Sequence, residues 1–457
     1  RAVLDFETTL ARTQWAPDQT RDALRNEHRL TVQELSAYAP GFDWPAYLQA
    51  AGFGDVERLN VATDTAVRDA AALFARTAPD TLRAYAAFHY LDSFAPLLSQ
   101  EWERAHFAFH SQTLAGIKEQ RALPERALQQ VNATLGEQLG RLYVQRYFPP
   151  ESKARMDELV GFLRLAFRQR LEKVEWMDEA TRREALAKLD AMSTKIGYPE
   201  KWHDYSQLQI RANDLVGNVQ RYQDWQQQDQ RKKLGEPVRQ WEWAMLPQRI
   251  NAYNNPLGNE VVFPAAILQA PFFDPKADPA VNFGAIGMVI GHEMGHSFDD
   301  QGSHYDARGA LRNWWSEASR RQFEERTDKL VQQYGGYAPL PGLHLNGQLT
   351  LGENIGDLGG MMIAWTGYQN FVAANPGKAP VLEGYSGQQR FFMGFAQVWR
   401  NRMTEAALRQ QVLTNAHSPG EYRVNGVLAN FTPWYEVFGV KAGDKLYLPE
   451  NQRVGIW

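Results

Sequence analysis

Apolar residues recur along most of this chain at helical spacing. Val3, Leu4, Phe6, Leu10 and Trp15 fall on one face of a 3.6-residue period, and Leu159, Phe162, Leu163, Ala166 and Phe167 do so again. Asp178 stands before a periodic stretch from Glu179 to Met192 and predicts an N-capped helix, which ends before Gly197 and Pro199. Gln226 to Glu236 (QQQDQRKKLGE) is polar and charged and predicts a surface loop or helix end. A domain boundary is expected just after it, between residues 1–236 and 237–457. Two short runs beyond it, Arg249 to Asn254 and Glu260 to Phe263, predict strands flanking Asn255-Pro256-Leu257-Gly258. Helical runs resume from Phe283 to Asp299 and from Asn354 to about Val372. The expected fold class is mainly α with a small β-sheet. No internal repeat and no coiled-coil heptad interrupts this pattern.

Composition narrows the chemistry. The net charge is −4 over 457 residues, so no domain-wide basic footprint exists and nucleic acid is not expected as a partner. With no cysteine, the chain has no disulfides, Cys-ligated zinc, iron–sulfur cluster or thiol nucleophile. The absence of cysteine leaves the compartment open. The uncharged window Leu358 to Gly377 is broken by Gly, Gln, Asn and Pro, so no transmembrane segment is expected. The chain opens on Arg1 with an amphipathic pattern rather than a signal peptide, and a native N-terminal segment is expected to have been removed or to be absent from this chain.

The strongest chemical signal is His292-Glu293-Met294-Gly295-His296. On a helix, residues four apart share a face, so His292 and His296 can present two imidazoles to one ion, with Glu293 beside them to reach a water. Chance would produce this pattern only about 0.01 times in a chain with so few histidines. Two neutral imidazoles and a carboxylate, with one position open, suit zinc. The expected third ligand is Glu353. Asp357 lies one turn further on the same face and would accept the free N–H of a ligand histidine. Gly352, Gly356, Gly359 and Gly360 would let the two helices approach closely. Asp299 and Asp300 read equally well as a helix-end pair or as partners of the ligands. The other histidines show no ligand spacing with acids. His106 and His110 are four apart but have no acid between them, and are read as ordinary helix residues.

Glu353-Asn354-Ile355-Gly356-Asp357-Leu358-Gly359-Gly360 resembles the E-N-x-x-D-x-x-G signature of the neprilysin and endothelin-converting-enzyme family of zinc metallopeptidases. Asn251-Ala252-Tyr253, His417-Ser418-Pro419 with Arg423-Val424-Asn425, and the ending Arg453-Val454 with Trp457 are similar to the same family. So is Trp176-Met177-Asp178 through Ile196-Gly197-Tyr198-Pro199. The absence of cysteine matches a bacterial, oligopeptidase O-like member rather than the disulfide-rich animal ectodomains. Family members carry a further N-terminal portion, which is a candidate partner of this chain.

The resemblance implies a two-lobed zincin: a thermolysin-like domain over 237–457, and an all-helical lobe over 1–236 enclosing a cavity. It implies one zinc per chain and endopeptidase action on oligopeptides, on the amino side of large hydrophobic residues. In that reading His292, His296 and Glu353 hold the metal, Glu293 is the general base, His417 stabilises the oxyanion, and Asp357 supports the centre. Asn251, Ala252 and Arg423 would bind substrate backbone. Ile267, Phe272, Met288, Val289, Val398 and Trp399 would line the specificity pocket. Asn415 stands where many relatives have Asp, so His417 is expected to be less basic here. Secretion or the periplasm is favoured over the cytoplasm. The alternatives are a zinc-containing peptide- or host-protein-binding module with little catalysis, and a zincin acting on a non-peptide amide. The presence of Glu293 disfavours the first, and the backbone-binding set disfavours the second.

Overall fold

A computed structural model describes the chain from Arg1 to Trp457. Helix accounts for 58% of residues and strand for 5%, in keeping with the expected mainly α class with small sheets. No helix is long and apolar enough to cross a membrane.

The chain divides into two compact units, Arg1–Ala127 with His203–Arg239, and Leu128–Trp202 with Gln240–Trp457. The boundary expected at residue 236 lies close to the last crossing, but residues 128–202 belong with the second unit rather than the first. The reason is the helix Pro150–Lys173. Its buried stripe of Met156, Leu159, Val160, Leu163, Ala166, Phe167 and Leu171 repeats at helical spacing and enters the main core. Phe162 meets Phe371 edge-on at 5.5 Å there.

The first unit is built largely of helices, among them Ala2–Thr13, Asp64–Arg76, Pro79–Phe94 and Leu215–Lys232. The last of these absorbs much of the polar stretch after Gln226. The expectation of an all-helical lobe needs one correction. Strands β1 (Arg29–Thr31) and β2 (Arg58–Asn60) pair antiparallel, with Leu30 opposite Leu59. They pack beside a small core of Leu35, Ala39, Val61 and Ala71.

The second unit holds a three-stranded sheet of β3 (Ser193–Gly197), β4 (Tyr253–Asn255) and β5 (Glu260–Pro264), in the order β3-β5-β4. β5 is buried along its whole length, as a central strand requires, and runs parallel to β3 and antiparallel to β4. The first predicted strand is shorter than expected. Only Tyr253–Asn255 pairs, while Asn251 and Ala252 lead into it at the sheet edge. Asp178 caps the helix Glu179–Ala191 by accepting from Thr181 N at 2.8 Å. The C-terminal Trp457 stacks on Phe323 at 5.7 Å, and Trp176 Nε1 donates to the Ile456 carbonyl at 3.1 Å. Two segments distant in sequence thus close one core.

Candidate metal centre

Two buried helices carry the centre. An apolar run enters the π-helical turn Phe283–Gly287 and continues into the helix Met288–His296. Against it lies Leu351–Ala374, apolar on nearly all sides and buried accordingly. Glycine permits their close approach. A Cβ on Gly360 would stand 2.7 Å from both His292 N and Met288 O, and one on Gly356 would stand 2.8 Å from His292 Nδ1. Gly359 differs from expectation, since it faces Trp457 instead.

This packing brings His292, His296 and Glu353 together, with one potential ligand atom from each within 4.8 Å of the others. His292 Nε2 is 3.3 Å from Glu353 Oε2, and His296 Nε2 is 3.7 Å from Glu353 Oε1. Ligand atoms around a tetrahedral zinc, each about 2.0–2.1 Å from it, stand about 3.3 Å apart, so the donor set fits zinc. Glu353 Oε2 is buried without an aligned hydrogen-bond donor, as expected of an oxygen reserved for a cation.

The outer nitrogens of both imidazoles are held by carboxylates. His292 Nδ1 lies 2.8 Å from Asp357 Oδ1, the contact the one-turn spacing predicts. His296 Nδ1 lies 2.7 Å from Asp299 Oδ2, and Asp299 Oδ1 accepts from Gln301 N and Gly302 N. Of the two acids left open by the sequence, Asp299 is seen to hold His296. Each carboxylate directs the other ring nitrogen, Nε2, toward Glu353. Lys188 ties down the loop behind Asp299: its buried Nζ donates to the carbonyls of Ser297 (2.5 Å), Gly302 (2.8 Å) and Tyr305 (2.6 Å).

The charges are balanced around this triangle. Burial opposes ionisation of Glu353, but His296, His292 and His417 hold its carboxyl well below the usual range. Burial likewise opposes the charge on Asp357, and Arg423 and His292 overcome it. Arg423 donates through Nε (2.7 Å) and Nη2 (2.5 Å) to Asp357 and stacks over Trp399 at 3.9 Å. Burial raises the Glu293 carboxyl, against the pull of His292 and His296.

A cavity of about 540 Å³ opens onto the centre. Its walls include Asn251, Ala252, Ile267, Phe272, Met288, Val289, Glu293, Trp399, His417 and Arg423. Val398 is the exception among the expected lining residues: it ends the helix Gly387–Val398 and does not reach the cavity wall. His417 Nε2 stands 3.2 Å from Glu353 Oε2, and its Nδ1 lies 2.9 Å from Asn415 Oδ1. Partial burial lowers its pKa, as do Arg423 and His292, against Glu353 and Asp357.

Some participants escaped the sequence reading. Asn254 Nδ2 donates to the Glu293 carbonyl (3.0 Å) and to Ser297 Oγ (2.8 Å), tying the edge strand to the ligand helix. Its position next to Asn251-Ala252-Tyr253 was the available signal. Ser418 Oγ donates to Asn354 Oδ1 at 2.9 Å and anchors the His417 loop to the Glu353 helix. Met245 and Ile250 complete the wall and carried no signal.

Profiles of Peptidase family M13 match residues 1–199 and 251–454. Endothelin-converting enzyme 1 of Rattus norvegicus is 35% identical over 459 residues, covering 97% of this chain and 60% of its own length. The chain thus spans about three-fifths of such curated relatives. The zinc metalloprotease Zmp1 of Mycobacterium tuberculosis, solved in complex with an inhibitor, is 41% identical with a TM-score of 0.96, over 100% of this chain and 70% of that one. PepO of Lactobacillus rhamnosis is 28% identical with a TM-score of 0.90, over 100% and 71%. With both profiles in place along the chain and a donor set suited to zinc at their motif, this protein belongs to peptidase family M13.

Proposed function

We propose that this chain hydrolyses internal peptide bonds of oligopeptides, cutting on the amino side of large hydrophobic residues. The observation that carries the reading is the placement of Glu293 in a cavity wall beside the His292–His296–Glu353 triangle. A pure metal-binding module has no need of a carboxylate there.

Held by His292, His296 and Glu353, zinc would acidify a water and polarise the scissile carbonyl. Glu293 takes the proton of the attacking water and delivers it to the leaving amine. Its raised pKa brings it closer to the neutral range in which a base exchanges protons efficiently. His417 donates from Nε2 to the developing oxyanion. Asp357 holds the outer nitrogen of His292 and two groups of the Arg423 fork, which leaves Arg423 Nη1 for a substrate carbonyl. An extended peptide adds beside Asn251 and Ala252, since β4 is the open edge of its sheet. Ile267, Phe272, Met288, Val289 and Trp399 receive the apolar side chain that follows the cut. Preference among apolar residues is modest, because one methylene is worth only about 1–3 kcal/mol.

The test is digestion of a mixed peptide set by the zinc-loaded chain, with cut sites mapped by mass spectrometry. Cuts before Phe, Leu and Ile are expected. Cuts without that preference would remove the pocket assignment, and intact peptides would remove the catalytic one.

A further inference from the structure

We propose that Asp92, His106 and His110 form a second zinc site in the first unit, separate from the His292–His296–Glu353 centre. Asp92 comes from the helix Pro79–Phe94, His106 ends the helix Gln100–His106, and His110 sits within the π-helical turn Phe107–Thr113 that continues it. The sequence hid this site because the acid lies on a different helix from the two histidines.

The three side chains stand close enough to form a three-ligand site once the imidazoles turn, with water completing the shell. One potential ligand atom from each residue lies within 4.8 Å of the others. His110 Nε2 is already 3.0 Å from Asp92 Oδ2. The His106 and His110 rings are 4.2 Å apart, against 4.4 Å for His292 and His296. Their planes differ by 30°, whereas the first pair is crossed at 81°, so closing on an ion requires the imidazoles to turn about χ2, their soft torsion. The cluster is partly open, with 38% exposure of the His110 side chain and 26% of Asp92, so an ion and its waters can enter. π-Helical turns concentrate at functional sites. Two imidazoles and a carboxylate select zinc over calcium or magnesium. Bound there, the ion would add to the His110–Asp92 contact that already links the two helices.

The test uses the full chain, stripped with chelator and titrated with zinc alone against a colorimetric zinc indicator. Wild type is expected to take two equivalents. His106→Ala and His110→Ala should each take one, and Asp92→Asn should bind the second at least tenfold more weakly. His292→Ala should lose the other equivalent and keep this one. Circular dichroism on each variant separates loss of a ligand from loss of the fold. A single equivalent in wild type, or a second that survives in folded His106→Ala and His110→Ala, overturns the proposal.

Discussion

Replacing Asn415 with Asp tests how His417 works. Asn415 Oδ1 lies 2.8 Å from the backbone N of His417 and 2.9 Å from its Nδ1, so the amide oxygen accepts from both and the ring proton sits on Nδ1. Nε2, the nitrogen nearest Glu353, then carries a proton only in the imidazolium form. Donation to an oxyanion therefore requires the cation, and activity falls as pH rises through the pKa of His417. Partial burial, with Arg423 and His292, lowers that pKa, so the alkaline limb of the rate profile comes early. A carboxylate at position 415 favours the cation. A charge about 4 Å away at an effective dielectric of about 20 is worth about 4 kcal/mol. The His417 side chain is 48% exposed, and water screens most of that. About 1.4 kcal/mol remains, a tenfold change in the protonation equilibrium. The assay is kcat/KM for a quenched peptide as a function of pH, in wild type and Asn415→Asp. The alkaline limb should move up by about one pH unit, with about tenfold more activity beyond the wild-type limb. An unmoved limb would refute the cationic-donor role.

Three further outcomes follow from the same geometry. Asp299→Asn leaves His296 without its carboxylate and should weaken zinc binding about 10–100-fold by chelator competition; unchanged affinity would make Asp299 a helix-end acid only. Gly360→Ala places a Cβ 2.7 Å from two backbone atoms of the facing helix, so the helices must separate; a lower Tm and lost zinc are expected, and full zinc retention would contradict the packing argument. Lys188→Met removes the lysine donor from the Ser297 carbonyl, while Gly302 O keeps the Tyr305 N–H and Tyr305 O keeps Trp314 Nε1, and should cost about 1–3 kcal/mol, seen as a lowered Tm; an unchanged Tm would show that the Ser297 carbonyl finds another partner.

What the sequence revealed of the fold and the centre follows the range of the interactions involved. The helices around Leu163 and His292 and the cap at Asp178 are set by neighbours within a few residues, and their periods are legible directly. Glu353 and Asp357 are legible because the i and i+4 spacing of one helix meets that of another. The placement of residues 128–202 is not, because it depends on where the Leu163 face finds its partner, far along the chain. The strand before Asn255 is shorter than its pattern because the residues before Tyr253 would lie opposite Phe263 and beyond, where Pro264 has no N–H and the chain leaves the sheet for the turn Ala265–Ile267. Val398 looks like a pocket residue by its neighbour Trp399, yet the end of its helix turns it from the cavity wall. Gly359 looks like Gly360, but one helical step of about 100° sends it to Trp457 instead. The Asp92–His106–His110 cluster exists only once two helices are placed side by side.

The central claim is that Glu293 does chemistry while His292, His296 and Glu353 hold the metal. Zinc content and hydrolysis of a quenched peptide with a central Phe should be measured together on wild type, Glu293→Gln and chelator-treated protein. The account predicts equal zinc in wild type and Glu293→Gln, a loss of about 10²–10⁴-fold in cleavage for the variant, and no cleavage after chelation. Undiminished cleavage by zinc-loaded Glu293→Gln, or by metal-free wild type, would contradict it.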